Sequence, residues 1–178
     1  EEFKALLDRC RALDLRVIID FVPNHVARSY QSDVRPDSSF GEGDDHDVFF
    51  DWDNHFYYLR IDDPGGGPPL KLPTAAMPGC SGLFEPESTF GRVTGNNSVT
   101  WAPSINDWYE TVKLNYGHDF TLGRDTSGLP GPDAPPSAVP KTWRTMDEIL
   151  AYWQEMGVNG FRCDMAHMIP MEFWHWAV

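Results

Sequence analysis

Two short runs hold the side chains best suited to chemistry. Asp20-Phe21-Val22-Pro23-Asn24-His25 joins a carboxylate, an amide and an imidazole, and Gly160-Phe161-Arg162-Cys163-Asp164-Met165-Ala166 sets a guanidinium two residues before a carboxylate. On a β-strand, residues two apart project to the same side, so Arg162 and Asp164 are expected to meet. A fixed positive charge there would keep Asp164 ionised and oriented, as chemistry at a carboxylate requires. Spacing alone favours the blander reading, an ordinary structural ion pair at a strand end. His25 is likewise open to two readings, a hydrogen-bonding group at a site or a satisfied core histidine. A third group, Asp44, Asp45, Asp47, Asp51 and Asp53, offers the oxygen ligands calcium prefers. It lacks the spacing and central glycine of an EF-hand loop and reads as a solvated acidic loop.

The elements that must position these groups follow from periodicity. Phe3, Leu6, Leu7, Cys10 and Leu13 recur at helical intervals and predict a first helix. Leu15 to Val22 is a short, β-branched, nearly continuous apolar run, as expected of a parallel strand buried on both faces, and Pro23 ends it. From Asn24 to Lys141 the helical rhythm disappears. Gly, Pro, Asp and Asn punctuate a long insertion whose aromatic content predicts order. Thr145 and Glu148 have the spacing of a capping box and predict a helix start there, with Gly157 placed to end the helix. Val158 to Cys163 then reads as a second buried strand with Asp164 at its end. Helices alternating with strands imply parallel βα units. In a closed barrel of such units, chemistry sits at the carboxyl ends of the strands, where Asn24, His25 and Asp164 fall.

Taken together, the two runs resemble the first and second conserved regions of the α-amylase superfamily, glycoside hydrolase family 13. Their order, strand-end placement and separation by a long insertion are similar to that family's third and fourth barrel strands with domain B between them. Trp101 to Phe120, including Leu114-Asn115-Tyr116-Gly117, resembles the fifth region, although Lys113 stands where many members carry an acidic residue. The resemblance implies an α/β fold, part of a (β/α)8 TIM barrel made of two βα units and a long irregular insertion. Residues 1–24 would be barrel helix and strand, 25–141 domain B, and 142–178 the next helix, strand and the start of another helix.

The implied chemistry is retaining cleavage of α-glucosidic bonds in α-1,4-glucans or maltooligosaccharides. Such cleavage needs a carboxylate nucleophile and a second carboxyl about 5 Å away to protonate the leaving oxygen. By resemblance Asp164 is the nucleophile, Arg162 its partner, His25 and His167 contact the sugar, and Asp20 braces the arginine. Asn24 is a support that in the family often ligates a structural calcium, so the resemblance leaves room for that ion. Met168 stands where many members have a calcium-associated histidine, and its backbone could still serve. No cofactor is required for the chemistry itself. Trp101, Trp108, Tyr109, Tyr57 and Tyr58 are candidate platforms for pyranose rings, most of them expected to be core. The family's general acid, a Glu on the fifth strand, and its third carboxylate have no counterpart here, and Glu172, in a following helix, is not expected to replace the acid. A transglycosidase or trehalose-forming enzyme would share the same motifs, and a non-catalytic barrel scaffold is the reading from another class.

Composition narrows the remaining possibilities. A net charge of −13 over 178 residues, with no basic patch, disfavours nucleic acid as a partner. No apolar run approaches the roughly 20 residues of a membrane helix. Cys10, Cys80 and Cys163 are too widely spaced for a metal knuckle and are expected to be small buried residues. The chain opens in a helix without an initiator Met and stops in an apolar-rich segment, as expected of an excerpt. Compartment and oligomeric state leave no mark on the sequence.

Overall fold

The computed structural model describes residues 1–74, 79 and 81–178. Helix α1 (Glu2–Ala12) leads to strand β1 (Ile18–Phe21), and β2 (His25–Ala27) follows almost at once. Strand β3 (Thr111–Lys113), helix α2 (Lys141–Met156), strand β4 (Gly160–Cys163) and helix α3 (Met171–Ala177) complete the regular elements. The parallel pairing expected from the βα pattern is present: β1 and β4 run side by side, with Asp20 opposite Arg162 and Phe21 opposite Cys163. Beside them β2 and β3 form an antiparallel pair, with His25 opposite Lys113.

The long central segment is ordered by burial rather than by regular structure. One core joins Phe21 of β1, Val112 and Leu114 around β3, and Trp143, Met146 and Phe173 of the helices. A second core lies within the segment itself and contains Phe49, Tyr57, Leu59, Leu70, Val93 and Trp101. Isolated bridges Phe56–Leu114, Tyr58–Arg92 and Lys71–Leu83 replace the short strands suggested by its aromatic clusters. Tyr116 ties the segment to the end of β1 by donating its hydroxyl to the Pro23 carbonyl at 2.8 Å. Trp143 of α2 in turn donates its indole N–H to the Tyr116 carbonyl at 3.1 Å.

Three expectations are corrected. The first strand is not buried on both faces: Phe21 is buried, but Ile18 is 65% exposed. Leu15 and Val22 beside it are exposed as well, at 57% and 40%. Helix α2 starts at Lys141 rather than near Thr145, with Pro140 as its cap residue. Pro140 fixes the backbone for helix entry, and the Thr145 hydroxyl bonds back to the Lys141 carbonyl at 3.2 Å from inside the helix. Cys10 and Cys163 are half-buried free thiols rather than core residues, and Cys80 lies outside the described residues. Gly157 does end α2 in the left-handed conformation at φ 105°, its N–H bonded to the Gln154 carbonyl at 2.9 Å.

Candidate active site

The rim at the carboxyl ends of β1 and β4 gathers the two sequence runs. Because Asp20 and Arg162 are register partners, their side chains leave the sheet on the same side, and Arg162 Nη1 lies 3.5 Å from Asp20 Oδ2. The same nitrogen is 2.9 Å from Asp164 Oδ1, so one guanidinium nitrogen bridges carboxylates of two strands. The Asp164 amide extends the ladder by donating to the Phe21 carbonyl at 2.8 Å, which seats the carboxylate at the strand end. Met165 then adopts a left-handed backbone, φ 52°, and sends the chain into the 3₁₀ turn Ala166–Met168. Such a conformation is costly for a side-chain-bearing residue and is held by its surroundings. Arg162 is well exposed and Asp164 one-third exposed, so the pair faces solvent and water screens much of its attraction.

His25, the first residue of β2, is held from behind. Asn24 is fully buried, and its amide is oriented without ambiguity because its oxygen accepts from the Lys113 ammonium while its nitrogen donates to the Gly95 carbonyl at 2.8 Å. That nitrogen also lies 3.2 Å from His25 Nδ1. A donor facing Nδ1 makes it the acceptor, so the proton of the neutral imidazole resides on Nε2. Burial lowers the His25 pKa, the Asp164 charge raises it, and Lys113 lowers it again. His25 opens β2 four residues after Phe21, and Asp164 follows Cys163, the register partner of Phe21, so both lie just past the carboxyl ends of the paired strands. The Trp108 indole packs on the imidazole with ring centroids 5.3 Å apart.

Lys113 is the residue whose part in this region spacing did not reveal. It is 5% exposed, contacts the Asn24 side-chain oxygen, and reaches the Met168 carbonyl at 3.4 Å. Burial pushes it down to about 8, which leaves the ammonium predominant at neutral pH. The usable signal was a lysine inside the apolar run Val112-Lys113-Leu114, since lysine is almost never fully buried without partners. A second unanticipated group is the Glu87 carboxylate, fully buried between Arg28 and Arg92 at 2.7 Å from each. Arg28 also donates to the Tyr109 and Thr111 carbonyls, which anchors the strand pair that begins with His25.

Other candidate residues fall elsewhere. His167 is exposed and lines a groove of ≈ 490 Å³ with Lys113, His118, Arg124 and Met168, a groove that neither His25 nor Asp164 borders. Trp101, Tyr57 and Tyr58 are core, Trp108 and Tyr109 are half-buried, and Trp108 is the one that packs on the His25 ring. Asp44 is not part of a solvated loop: its buried carboxylate accepts from the amides of His55 and Phe56, the Tyr58 hydroxyl and Lys141. Asp45 and Asp51 close local turns, and with Asp47 and Asp53 they are exposed as the acidic-loop reading expected. Among the described residues no three His, Cys, Asp or Glu side chains are grouped to hold a metal ion.

Comparison with known proteins gives this geometry a context. Maltase 1 of Drosophila virilis is 26% identical over 170 residues, 92% of this chain and 20% of that protein. Salivary alpha-glucosidase of Aedes aegypti is 26% identical over 168 residues, 92% of this chain and 22% of its own length. Trehalose synthase of Pimelobacter sp. (strain R48) is 26% identical over 168 residues, 92% of this chain and 21% of its own. The chain thus spans about a fifth of the length of these relatives. No family model and no solved structure matches the chain. Low-identity relatives with these names, aligned over most of the chain, support an α-amylase-type family and an enzyme of the glycosidase or transglycosidase kind.

Proposed function

We propose that this chain belongs to a retaining enzyme of the α-amylase superfamily that acts on α-glucosidic bonds of maltose or maltooligosaccharides. The observation that carries the reading is Arg162 Nη1 bridging Asp20 and Asp164 at the ends of paired parallel strands, with His25 opening β2 just past the end of β1. In this reading β1 and β4 are the third and fourth strands of a (β/α)8 barrel. Residues 1–24 and 142–178 are barrel units and 25–141 is domain B. The exposed apolar residues Leu15, Ile18 and Val22 are surface that neighbouring barrel units cover in the full-length protein.

Asp164 attacks the anomeric carbon and the bond to the leaving oxygen breaks, giving a covalent glycosyl-enzyme while a carboxylic acid protonates the departing oxygen. Glu172 is unsuited to that acid role, because it sits on α3 and accepts a hydrogen bond from Thr126 at 2.8 Å. The acid therefore comes from outside these residues. Arg162 orients the nucleophile, and Asp20 steadies Arg162. His25 offers its Nε2–H to a sugar hydroxyl, strengthening that bond as charge builds in the transition state. Trp108 supplies an apolar face beside the imidazole.

Water or a second sugar can accept the glycosyl group from the intermediate. A relative named trehalose synthase favours keeping transfer beside hydrolysis. Maltose given to the full-length protein separates the two outcomes: hydrolysis turns each maltose into two glucose molecules, whereas transfer conserves the number of glycosidic bonds and gives a rearranged disaccharide or a longer oligosaccharide. The assignment of Asp164 is tested with a fluorinated glucosyl fluoride that forms a long-lived glycosyl-enzyme. A mass adduct on the peptide containing Asp164, absent in Asp164→Asn, is expected. An adduct on another residue, or undiminished turnover by Asp164→Asn, overturns the assignment.

A further inference from the structure

The calcium expectation rested on two oxygens, the Asn24 side-chain carbonyl and the backbone carbonyl at position 168. Both face Lys113. Its ammonium contacts Asn24 Oδ1 and lies 3.4 Å from the Met168 carbonyl. Calcium needs six to eight oxygen ligands at about 2.3–2.6 Å, carboxylates among them. Here Lys113 stands where many α-amylases carry an acidic side chain, and among the described residues no cluster of carboxylates surrounds it. The residues present do not fit the ion.

We infer that the Lys113 ammonium is a built-in cation that takes the place of calcium, clamping the insertion to the β1 end and to the turn after Asp164 without any bound metal. The inference rests on the proposed family reading in one respect, the choice of calcium as the ion replaced. The clamp itself rests on contacts that join three parts of the chain. Lys113 belongs to β3, Asn24 follows β1, and Met168 closes the 3₁₀ turn after β4. An ammonium has three N–H donors and one positive charge, which suits two neutral carbonyl oxygens better than a divalent ion deprived of carboxylates would. Because the Asn24 amide is turned by Lys113, the clamp also sets which nitrogen of His25 carries the proton.

The test compares thermal unfolding and bound-calcium content of the full-length protein with those of Lys113→Met and Lys113→Asp, each in a chelator and in millimolar calcium. The wild type is expected to unfold at the same temperature in both media. Lys113→Met, which leaves two buried oxygens facing a thioether, should unfold at a lower temperature that calcium does not restore. Lys113→Asp should be destabilised in chelator, gain one calcium per chain relative to wild type, and recover by several degrees. A wild type holding calcium that Lys113→Asp does not exceed overturns the inference, as does Lys113→Met as stable as wild type or Lys113→Asp unresponsive to calcium. These readouts do not involve turnover, so they stand apart from the fate of the Asp164 assignment.

Discussion

Replacing Glu87 with Gln keeps the size of the side chain and removes its charge. In the native protein this one carboxylate accepts from Arg28 Nη1 at 2.8 and 2.7 Å, from Arg92 Nε and Nη2 at 3.0 and 2.7 Å, and from the Arg92 amide at 2.8 Å. Arg28 is 3% exposed and Arg92 12% exposed, so Glu87→Gln leaves two guanidinium groups together with little water to separate them. Burial already lowers the Arg28 pKa and Glu87 raises it, so losing that carboxylate removes the main compensation for an interior positive charge. Breaking a buried pair by deleting one partner costs about 3–5 kcal/mol. The urea midpoint should fall by that loss divided by the full-length protein's own denaturant slope, which grows with the surface exposed on unfolding. Arg28 anchors the β2–β3 pair, so activity that depends on His25 should decline in the same variant. Urea melts of the full-length protein, followed by tryptophan fluorescence, make the measurement. Arg11→Ala serves as the control, because it removes an ion pair exposed on both sides and should leave the midpoint in place. A Glu87→Gln midpoint indistinguishable from wild type would refute the claim that this buried cluster holds the insertion together.

Other perturbations follow from the same geometry. Burial, the largest cause, together with Lys141 and Arg144 depresses His55 to about 4 against the opposing pull of Asp44, whereas unfolded histidine titrates near about 6.5. The unfolded chain therefore binds more protons between these values. Stability should fall as pH drops through this window, by at most about 1.4 kcal/mol per pH unit from this residue, and denaturant melts of wild type and His55→Gln at several pH values isolate that slope. Gly95→Ala would set a Cβ 2.5 Å from Thr111 Oγ1 and 3.0 Å from the His25 Cβ. It should destabilise by about 1–3 kcal/mol and lower kcat, and an unchanged melting temperature with normal turnover would contradict the close approach. His25→Ala removes one transition-state hydrogen bond and should cost about 1–3 kcal/mol in kcat/KM, far less than Asp164→Asn. Kinetics with maltose read both, and equal losses would argue against their separate roles.

Much of the framework was legible because its signals are local. The apolar run ending at Pro23, the Gly157 stop and the two-residue spacing of Arg162 and Asp164 each act over a few residues, and all three recur in the structure. What the sequence hid depends on distant partners. Nothing near Lys113 announces Asn24, 89 residues away, and nothing near Arg28 announces Glu87, 59 residues away. The Thr145–Glu148 spacing misplaced the start of α2 because Pro140 had already set the backbone for helix entry, leaving Thr145 free to bond within the helix. Within the acidic loop, Asp45, Asp47, Asp51 and Asp53 are exposed as expected, and only Asp44 departs, recruited by Tyr58 and by Lys141, which lies 97 residues on.

The parallel pairing of β1 with β4 has a kinetic corollary. The Val17 amide and the Asn159 side chain that meet at its lower edge are 142 residues apart along the chain. Contacts of such long range repay their loop-closure entropy only after the intervening chain has condensed. The insertion's own aromatic core is expected to assemble early, and the two strands to zip together late. Refolding followed by hydrogen-exchange labelling should find the Asp164 amide among the last to gain protection.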